Sequence, residues 1–268
     1  MPTDQNIKSS EFLSLQNQTV LITGASSGFG LLLAKKLADL GAKLVLGDIN
    51  QNGLDELAKD IKSNIDCELI TQVCDVSSEK DCAQLVEAAV AKFGQLDIAV
   101  NNAGIAHSFI PFHEQQESEF DKQFAVNTKG VFFGMKHQIR QMMSQQHGII
   151  LNSSSMAGIG GAPKLAAYSA AKHGVVALTK AAAVEYATYN IRVNAICPFF
   201  SPTPMVIDSI NQPTEKRGDS IDYLAAGSPM KRLGDPEEIV NTMIMMCSPS
   251  LSYMTGQTIA VDGGVSAF

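Results

Sequence analysis

The chain has 268 residues, enough to bury a large core, with 45% hydrophobic residues, 18% charged residues and a formal net charge of −7. That balance excludes the basic face on which a nucleic-acid binder depends, and no Lys/Arg cluster supplies one locally. The five cysteines (Cys67, Cys74, Cys82, Cys197, Cys247) are scattered, without the paired spacing of a zinc site or a disulfide framework, so a reducing cytoplasm and no catalytic metal are expected.

The opening MPTDQNIKSSEF is polar and lacks the apolar core of a signal segment, and no apolar run reaches the ~18 residues of a membrane span. Residues 1–18 therefore read as a polar lead-in and 19–268 as one domain, since no linker or repeat divides the sequence. The first buried strand, TVLIT (19–23), runs straight into TGASSGFG (23–30) and then into an apolar-periodic helix, GFGLLLAKKLADLG. A strand, a glycine turn and a helix N-terminus together form a phosphate site, because the backbone can approach closely and unpaired N–H groups point at the ligand. Gly24, Gly28 and Gly30 take a G-x-x-x-G-x-G spacing rather than the commoner G-x-G-x-x-G.

The second strand, KLVLGD (43–48), ends on Asp48, where an acid would bind ribose hydroxyls and repel the extra phosphate of NADP. Ser26 and Ser27 beside Gly28, with Ile49 and Asn50 after Asp48, offer no cation to that phosphate, so NAD is preferred over NADP. Asp48 also admits a plainer reading, as a strand-end acid capping the next helix. Strands follow at CELITQVCD (67–75) and QLDIAVNN (95–102), with the helix EKDCAQLVEAAVAKFG between them. His107 and His113 come next and could line a pocket, although a loop histidine is more often a surface residue.

GIILNSS (148–154) is a fifth strand, and beyond it an alanine-rich helix contains YSAAK, in which Tyr168 and Lys172 share a face at i and i+4. After the strand IRVNAICP (191–198), the segment 203–234 is rich in Pro, Gly and charge and departs from the alternation, as specificity loops do. A last long helix is announced by Asp235 as cap, Pro236 in the first turn, and Glu237 and Glu238 at the positive end of the dipole; MIMMC (243–247) reads as its core face. QTIAVDGG (257–264) closes the series. Strand-helix alternation with near-continuous apolar strands implies an α/β fold, a parallel sheet covered by helices on both faces.

The ordered set TGASSGFG, CDVS (74–77), NNAG (101–104), Asn127 in VNTKGVF, NSSSMAG (152–158), YSAAK, IRVNAICP and VDGG (261–264) resembles the classical short-chain dehydrogenase/reductase family, over residues 19 to 264. The resemblance implies a single Rossmann-type doubly wound domain with about seven parallel strands flanked by helices. It also implies a catalytic group of Ser155, Tyr168, Lys172 and Asn127, with Ser155 chosen over Ser153 and Ser154 by its interval from Tyr168. Dinucleotide contacts carry over to Gly24, Ser27, Gly28, Phe29, Gly30, Asp48, Asp75, Val76, Asn101, Ala103, Gly104, Pro198 and Thr203, and to Tyr168 and Lys172 themselves. A homotetramer built on the long helices around 117–145 and 166–187 is the family expectation. One departure bears on these assignments: where the family has glycine after Pro198, this chain has Phe199 and Phe200, which can redirect the loop to Thr203 or wall the pocket with an apolar face.

The implied chemistry needs these residue types. Oxidising a secondary alcohol sends a hydride to the nicotinamide and a proton to a base, and the reverse reaction returns both. A free phenol, with pKa about 10, is a poor base near neutrality; an ammonium one helical turn away is expected to lower it. Lys172 is also expected to bind the nicotinamide ribose, Ser155 to orient the substrate oxygen, and Asn127 to support a water relaying protons to Lys172. The expected activity is therefore NAD(H)-dependent interconversion of a small-molecule secondary alcohol and a ketone. The alternatives are a 3-oxoacyl-thioester (acyl carrier protein) reductase and a non-catalytic dinucleotide sensor.

Overall fold

The computed structural model describes residues 13–211 and 221–267. Seven strands, β1 (Thr19–Thr23), β2 (Lys43–Asp48), β3 (Leu69–Val73), β4 (Ile98–Asn101), β5 (Gly148–Ser153), β6 (Ile191–Pro198) and β7 (Thr258–Val261), form one sheet in the order β3-β2-β1-β4-β5-β6-β7. Every neighbouring pair is parallel. The helices among the described residues are α1 (Gly28–Asp39), α2 (Gln51–Asn64), α3 (Glu79–Phe93), α4 (Glu117–Gln123), α5 (Gly130–Gln145), α6 (Ala166–Tyr186), α7 (Pro204–Asn211), α8 (Ile221–Ala226) and α9 (Pro236–Cys247).

The strands are apolar on both faces because both faces are covered. Along β1, Val20 and Ile22 pack with Leu33 and Leu37 of α1, Leu54 of α2 and Met243 of α9. Leu21, pointing the other way, packs with Leu85 of α3, Met135 of α5 and Val175 of α6. Each such side chain, fully withdrawn from water, contributes about 1.5–3 kcal/mol. Leu15, inside the stretch read as a lead-in, is fully buried in the first of these clusters, and its amide donates to the Leu40 carbonyl at 3.3 Å. Residues 1–12 of the lead-in lie outside the described residues.

The start of α9 follows its sequence signal. The Glu237 amide donates to Asp235 at 2.8 Å, and the Asp235 amide donates to the Glu238 carboxylate at 2.9 Å. Of the segment 203–234, the structure describes α7, α8 and the turns leading to α9, while residues 212–220 lie outside the described residues.

Strand order reverses between β1 and β4, so the connections leaving these two strands diverge and open a crevice at their carboxyl ends. The glycine turn after β1 and the Asn-Asn-Ala-Gly segment after β4 meet there. Asn102 donates from its side chain to the carbonyls of Thr23 (3.1 Å) and Gly24 (3.2 Å), while its amide donates to the Thr23 hydroxyl at 3.1 Å.

Candidate active site

The glycine turn is shaped by close backbone approach. Gly24 has φ +67°, and a Cβ there would lie 2.8 Å from the Ala103 Cα; a Cβ on Gly30 would collide with the Gly24 carbonyl oxygen. Ala103 is thus the wall that requires glycine at 24, and its own amide donates to the Thr23 hydroxyl at 3.1 Å. Ser27 takes the N-cap position of α1 without spending its side chain on a capping bond, and Phe29 and Gly30 follow in the first turn. A cradle that a side chain would fill, at the positive end of a helix, fits the pyrophosphate of a dinucleotide.

Asp48 combines both readings of its position. One carboxylate oxygen accepts the Ser26 amide at 2.9 Å and the other accepts the Asn50 amide at 3.0 Å, so the acid braces the turn and orders the entry to α2, which Asn50 itself caps. Each carboxylate oxygen retains a lone pair for a hydroxyl donor. Asp75 is exposed and accepts the Ser77 amide and hydroxyl at 2.9 and 2.7 Å, whereas Val76 is buried, against Gly130 of α5.

Asn101 behaves differently from its neighbours. Its side chain is buried and engages Gln138 and Asn152 in bonds of 2.8 to 3.0 Å, so any contact it makes with a dinucleotide falls to its backbone. Asn102, one residue further on, is the side chain directed to the glycine turn.

The three consecutive serines at the end of β5 are told apart by their partners. The Ser153 carbonyl accepts the Lys172 ammonium at 2.8 Å while its hydroxyl donates to Asn102 Oδ1 at 3.4 Å, and the Ser154 hydroxyl donates to the Lys172 carbonyl at 3.0 Å. Ser155 is left as the hydroxyl that hydrogen-bonds Tyr168, and its Oγ also accepts the Ala157 amide at 3.1 Å. Tyr168 and Lys172 share a face of α6 as the spacing requires, with the ammonium 5.7 Å from the centre of the phenol ring. Asn127 sits in a π-helical stretch between α4 and α5, a local widening common at functional sites. Its side chain donates to the Ile105 carbonyl (2.9 Å) and to Gln123 (2.7 Å) and accepts the Ile105 amide (3.0 Å), leaving one Oδ1 lone pair. Gly104 lies where Asn127 and Lys172 converge, since a Cβ on it would be 2.8 Å from Asn127 Oδ1 and 3.3 Å from Lys172 Nζ.

Electrostatically, burial sets the direction at Tyr168, opposite to the lowering by Lys172 expected from the sequence. Desolvation pushes the Tyr168 phenol above its ordinary value; the Ser155 hydrogen bond opposes the shift. Lys172, only 4% exposed, is pushed down to about 8, again by desolvation. Two neighbouring groups taken out of water together each favour their neutral form, so Tyr168 is held as a proton donor around neutrality.

Tyr168 and Ser155 open onto a cavity of about 590 Å³ walled by Phe29, Phe109, Phe199, Phe200 and Leu224. The Phe200 ring stands between Phe199 (4.8 Å, edge-on) and Phe109 (6.2 Å). Replacement of the family glycine by Phe199 does not carry Thr203 away: Thr203 lines the same cavity, and its side chain lies 3.7 Å from where a Gly28 Cβ would stand. Pro198, the last residue of β6, lines it as well.

His113 is exposed, but His107, a loop histidine expected more often at the surface, is 6% exposed and forms part of the cavity wall. No local signal marks it, because the loop has no periodicity from which to read a buried side. Among the described residues no group of three or more His, Cys, Asp or Glu side chains could hold a metal ion, and no helix is long and apolar enough to cross a membrane.

A family model described as enoyl-(acyl carrier protein) reductase matches residues 24–266. The chain is 39% identical over 254 residues to the levodione reductase of Leifsonia aquatica, covering 94% of this chain and 95% of that protein. It is 37% identical over 250 residues to the cis-4-hydroxycyclohexanecarboxylate dehydrogenase of Sinomonas cyclohexanicum, covering 93% and 97%. Among solved structures, a 3-ketoacyl-(acyl-carrier-protein) reductase from Brucella melitensis complexed with NADH superposes with a TM-score of 0.86 at 36% identity, covering 94% of this chain and all of that one.

Proposed function

We propose that this chain, which belongs to the short-chain dehydrogenase/reductase family, interconverts a secondary alcohol and a ketone with NAD(H), using Tyr168 as the general acid and base. The observation that carries the reading is the convergence of Ser155 and Tyr168 on one apolar cavity beside the glycine turn, with Lys172 buried one helical turn behind Tyr168 and held by the Ser153 carbonyl.

In this reading Gly24, Ser27, Gly28, Phe29 and Gly30 hold the pyrophosphate, and Asp48 the adenosine ribose. Asp75 and Val76 border the adenine, while Asn101, Ala103, Gly104, Pro198 and Thr203 line the path to the nicotinamide. When bound, the nicotinamide supplies or accepts the hydride. The Ser155 hydroxyl orients the substrate oxygen, and Tyr168 delivers its proton to that oxygen during reduction or withdraws it during oxidation. Lys172 donates to the ribose and reprotonates the phenol, and Asn127 supports a water linking Lys172 to bulk. Preference for NAD over NADP is supported by Asp48 and by Ile49, 70% exposed, standing where a cation would be needed.

The aromatic wall of Phe109, Phe199 and Phe200 favours an uncharged, ring-bearing ketone or alcohol as substrate. A 3-oxoacyl-thioester reductase is the second reading, favoured by likeness to the Brucella melitensis enzyme. A homotetramer is supported by exposed apolar side chains on the long helices, Phe132 (47%) on α5 and Val184 (84%) on α6. A reducing, cytoplasmic setting is supported by five cysteines that all stand free.

The deciding experiment follows nicotinamide absorbance with purified protein, NAD or NADP, and a panel of cyclic, aryl and aliphatic secondary alcohols and 3-oxoacyl thioesters. Turnover of ring alcohols with NAD supports the proposal. Turnover only with NADP would overturn the role given to Asp48, preference for thioesters would favour the second reading, and cofactor binding without turnover would point to a sensor.

A further inference from the structure

The helix that carries Tyr168 and Lys172 does not cap itself. Leu165 occupies the N-cap position of α6 and makes no side-chain capping bond, so the first amides of the helix need partners from elsewhere. Two of them come from the loop between β4 and α4. The Ala167 amide donates to Gln115 Oε1 at 3.0 Å, and the Tyr168 amide donates to His107 Nε2 at 3.4 Å, a long bond.

Both partners are themselves held. Gln115 gives its side-chain N–H groups to the carbonyls of Ile110 (3.0 Å) and Lys164 (3.4 Å), and the Ile110 amide donates to Lys164 at 3.0 Å, so loop and helix entry are laced together. His107 Nδ1 lies 2.7 Å from the Ser108 carbonyl, which can only accept. In the neutral imidazole that nitrogen carries the hydrogen, and Nε2 is the bare acceptor that faces Tyr168.

The two functional side chains of α6 are therefore anchored unequally. Lys172 lies deeper in the helix and is tied twice, through its ammonium to Ser153 at the end of β5 and through its carbonyl to Ser154 just beyond the strand. Tyr168 is in the first turn, the part of a helix that frays when its amides lack partners. We propose that His107 and Gln115 are positioning residues: together they cap α6 from outside and fix the phenol hydroxyl relative to Ser155 and Lys172. The inference rests on the oxidoreductase reading for its catalytic consequence, though not for the capping itself.

Three variants test it. His107→Leu keeps bulk and removes the acceptor, His107→Gln restores an acceptor at similar reach, and Gln115→Leu removes the second cap from a residue that does not line the cavity. In ligand-free protein, backbone amide exchange over residues 165–170 is expected to accelerate in both Leu variants and to return toward wild type in His107→Gln. In turnover, kcat is expected to fall on the order of tenfold to a hundredfold in the Leu variants, as misplacement by a fraction of an ångström to an ångström can cost that much. The solvent isotope effect on kcat should rise while NADH affinity stays unchanged, and His107→Gln should recover most of the rate. The proposal is overturned if exchange is unchanged in both Leu variants, if exchange accelerates without loss of kcat, if NADH affinity falls in parallel with kcat, or if His107→Gln recovers nothing. Absence of turnover in the wild type would instead sink the oxidoreductase reading, and the exchange arm would still decide the capping.

Discussion

The Lys172 ammonium donates to the Ser153 carbonyl at 2.8 Å, joining the middle of α6 to the end of β5 in a place where water hardly reaches. Burial there lowers the lysine from its ordinary 10.5 to about 8, and the linkage to stability follows in sign. Between those values the unfolded chain binds more protons than the folded one, so this group's contribution to stability rises with pH; below about 8 both states are charged and folding bears a cost on the order of 3 kcal/mol. Urea denaturation of wild type and Lys172→Met from pH 7 to 10 should show wild type gaining on the variant as pH rises. The slope is the test, since the offset also contains the lost hydrogen bond; parallel curves would refute the assignment.

Tyr168 should titrate in the opposite sense to catalytic convenience. Because burial raises the phenol, ketone reduction, which needs the neutral form, should hold its rate from neutrality upward until the phenol ionises, and alcohol oxidation should climb with pH over the same range. Tyr168→Phe should lower turnover in both directions by about 10²–10⁴ while weakening NADH binding far less than turnover. Oxidation with a flat pH profile, or a Tyr168→Phe protein that still turns over near wild-type rate, would remove Tyr168 from the mechanism.

The glycine turn has a steric test. In Gly30→Ala the new methyl must displace the Gly24 carbonyl, so the cradle opens and NADH affinity should fall by at least about tenfold, with overpacking costing about 1–3 kcal/mol of stability. Asp48→Asn keeps a side-chain acceptor for the Ser26 amide while removing charge, and should shift the ratio of kcat/KM from NAD toward NADP. Equal NADH affinity in Gly30→Ala by fluorescence titration would exclude this turn as the pyrophosphate site.

Phe200 is the keystone of the aromatic wall, in contact with both Phe199 and Phe109. Phe200→Ala should lower kcat/KM for ring ketones by about tenfold, the worth of one aromatic pair, and change small aliphatic ketones little. A uniform change across the panel would mean that the wall does not contact substrate.

Much of the architecture was legible from local pattern. The seven strands fall where the apolar runs lie, and the start of α9 falls at Asp235, because strand burial and capping are encoded by adjacent residues. The glycine turn and the shared face of Tyr168 and Lys172 were legible for the same reason: a tight turn and an i, i+4 pair are properties of a few consecutive positions. Other features depend on chain segments that sequence distance hides. Asn101 turns inward and Asn102 toward the turn, a matter of where β4 ends; Ser155 is singled out because the Ser153 hydroxyl is engaged by Asn102 and the Ser154 hydroxyl by the Lys172 carbonyl. His107 reaches the Tyr168 amide across 61 residues, and no periodicity in its loop could announce that contact. The direction of the Tyr168 and Lys172 shifts was equally invisible. Sequence spacing reports that an ammonium and a phenol are near each other, whereas desolvation sums over every atom packed around them, and only the folded chain determines that sum.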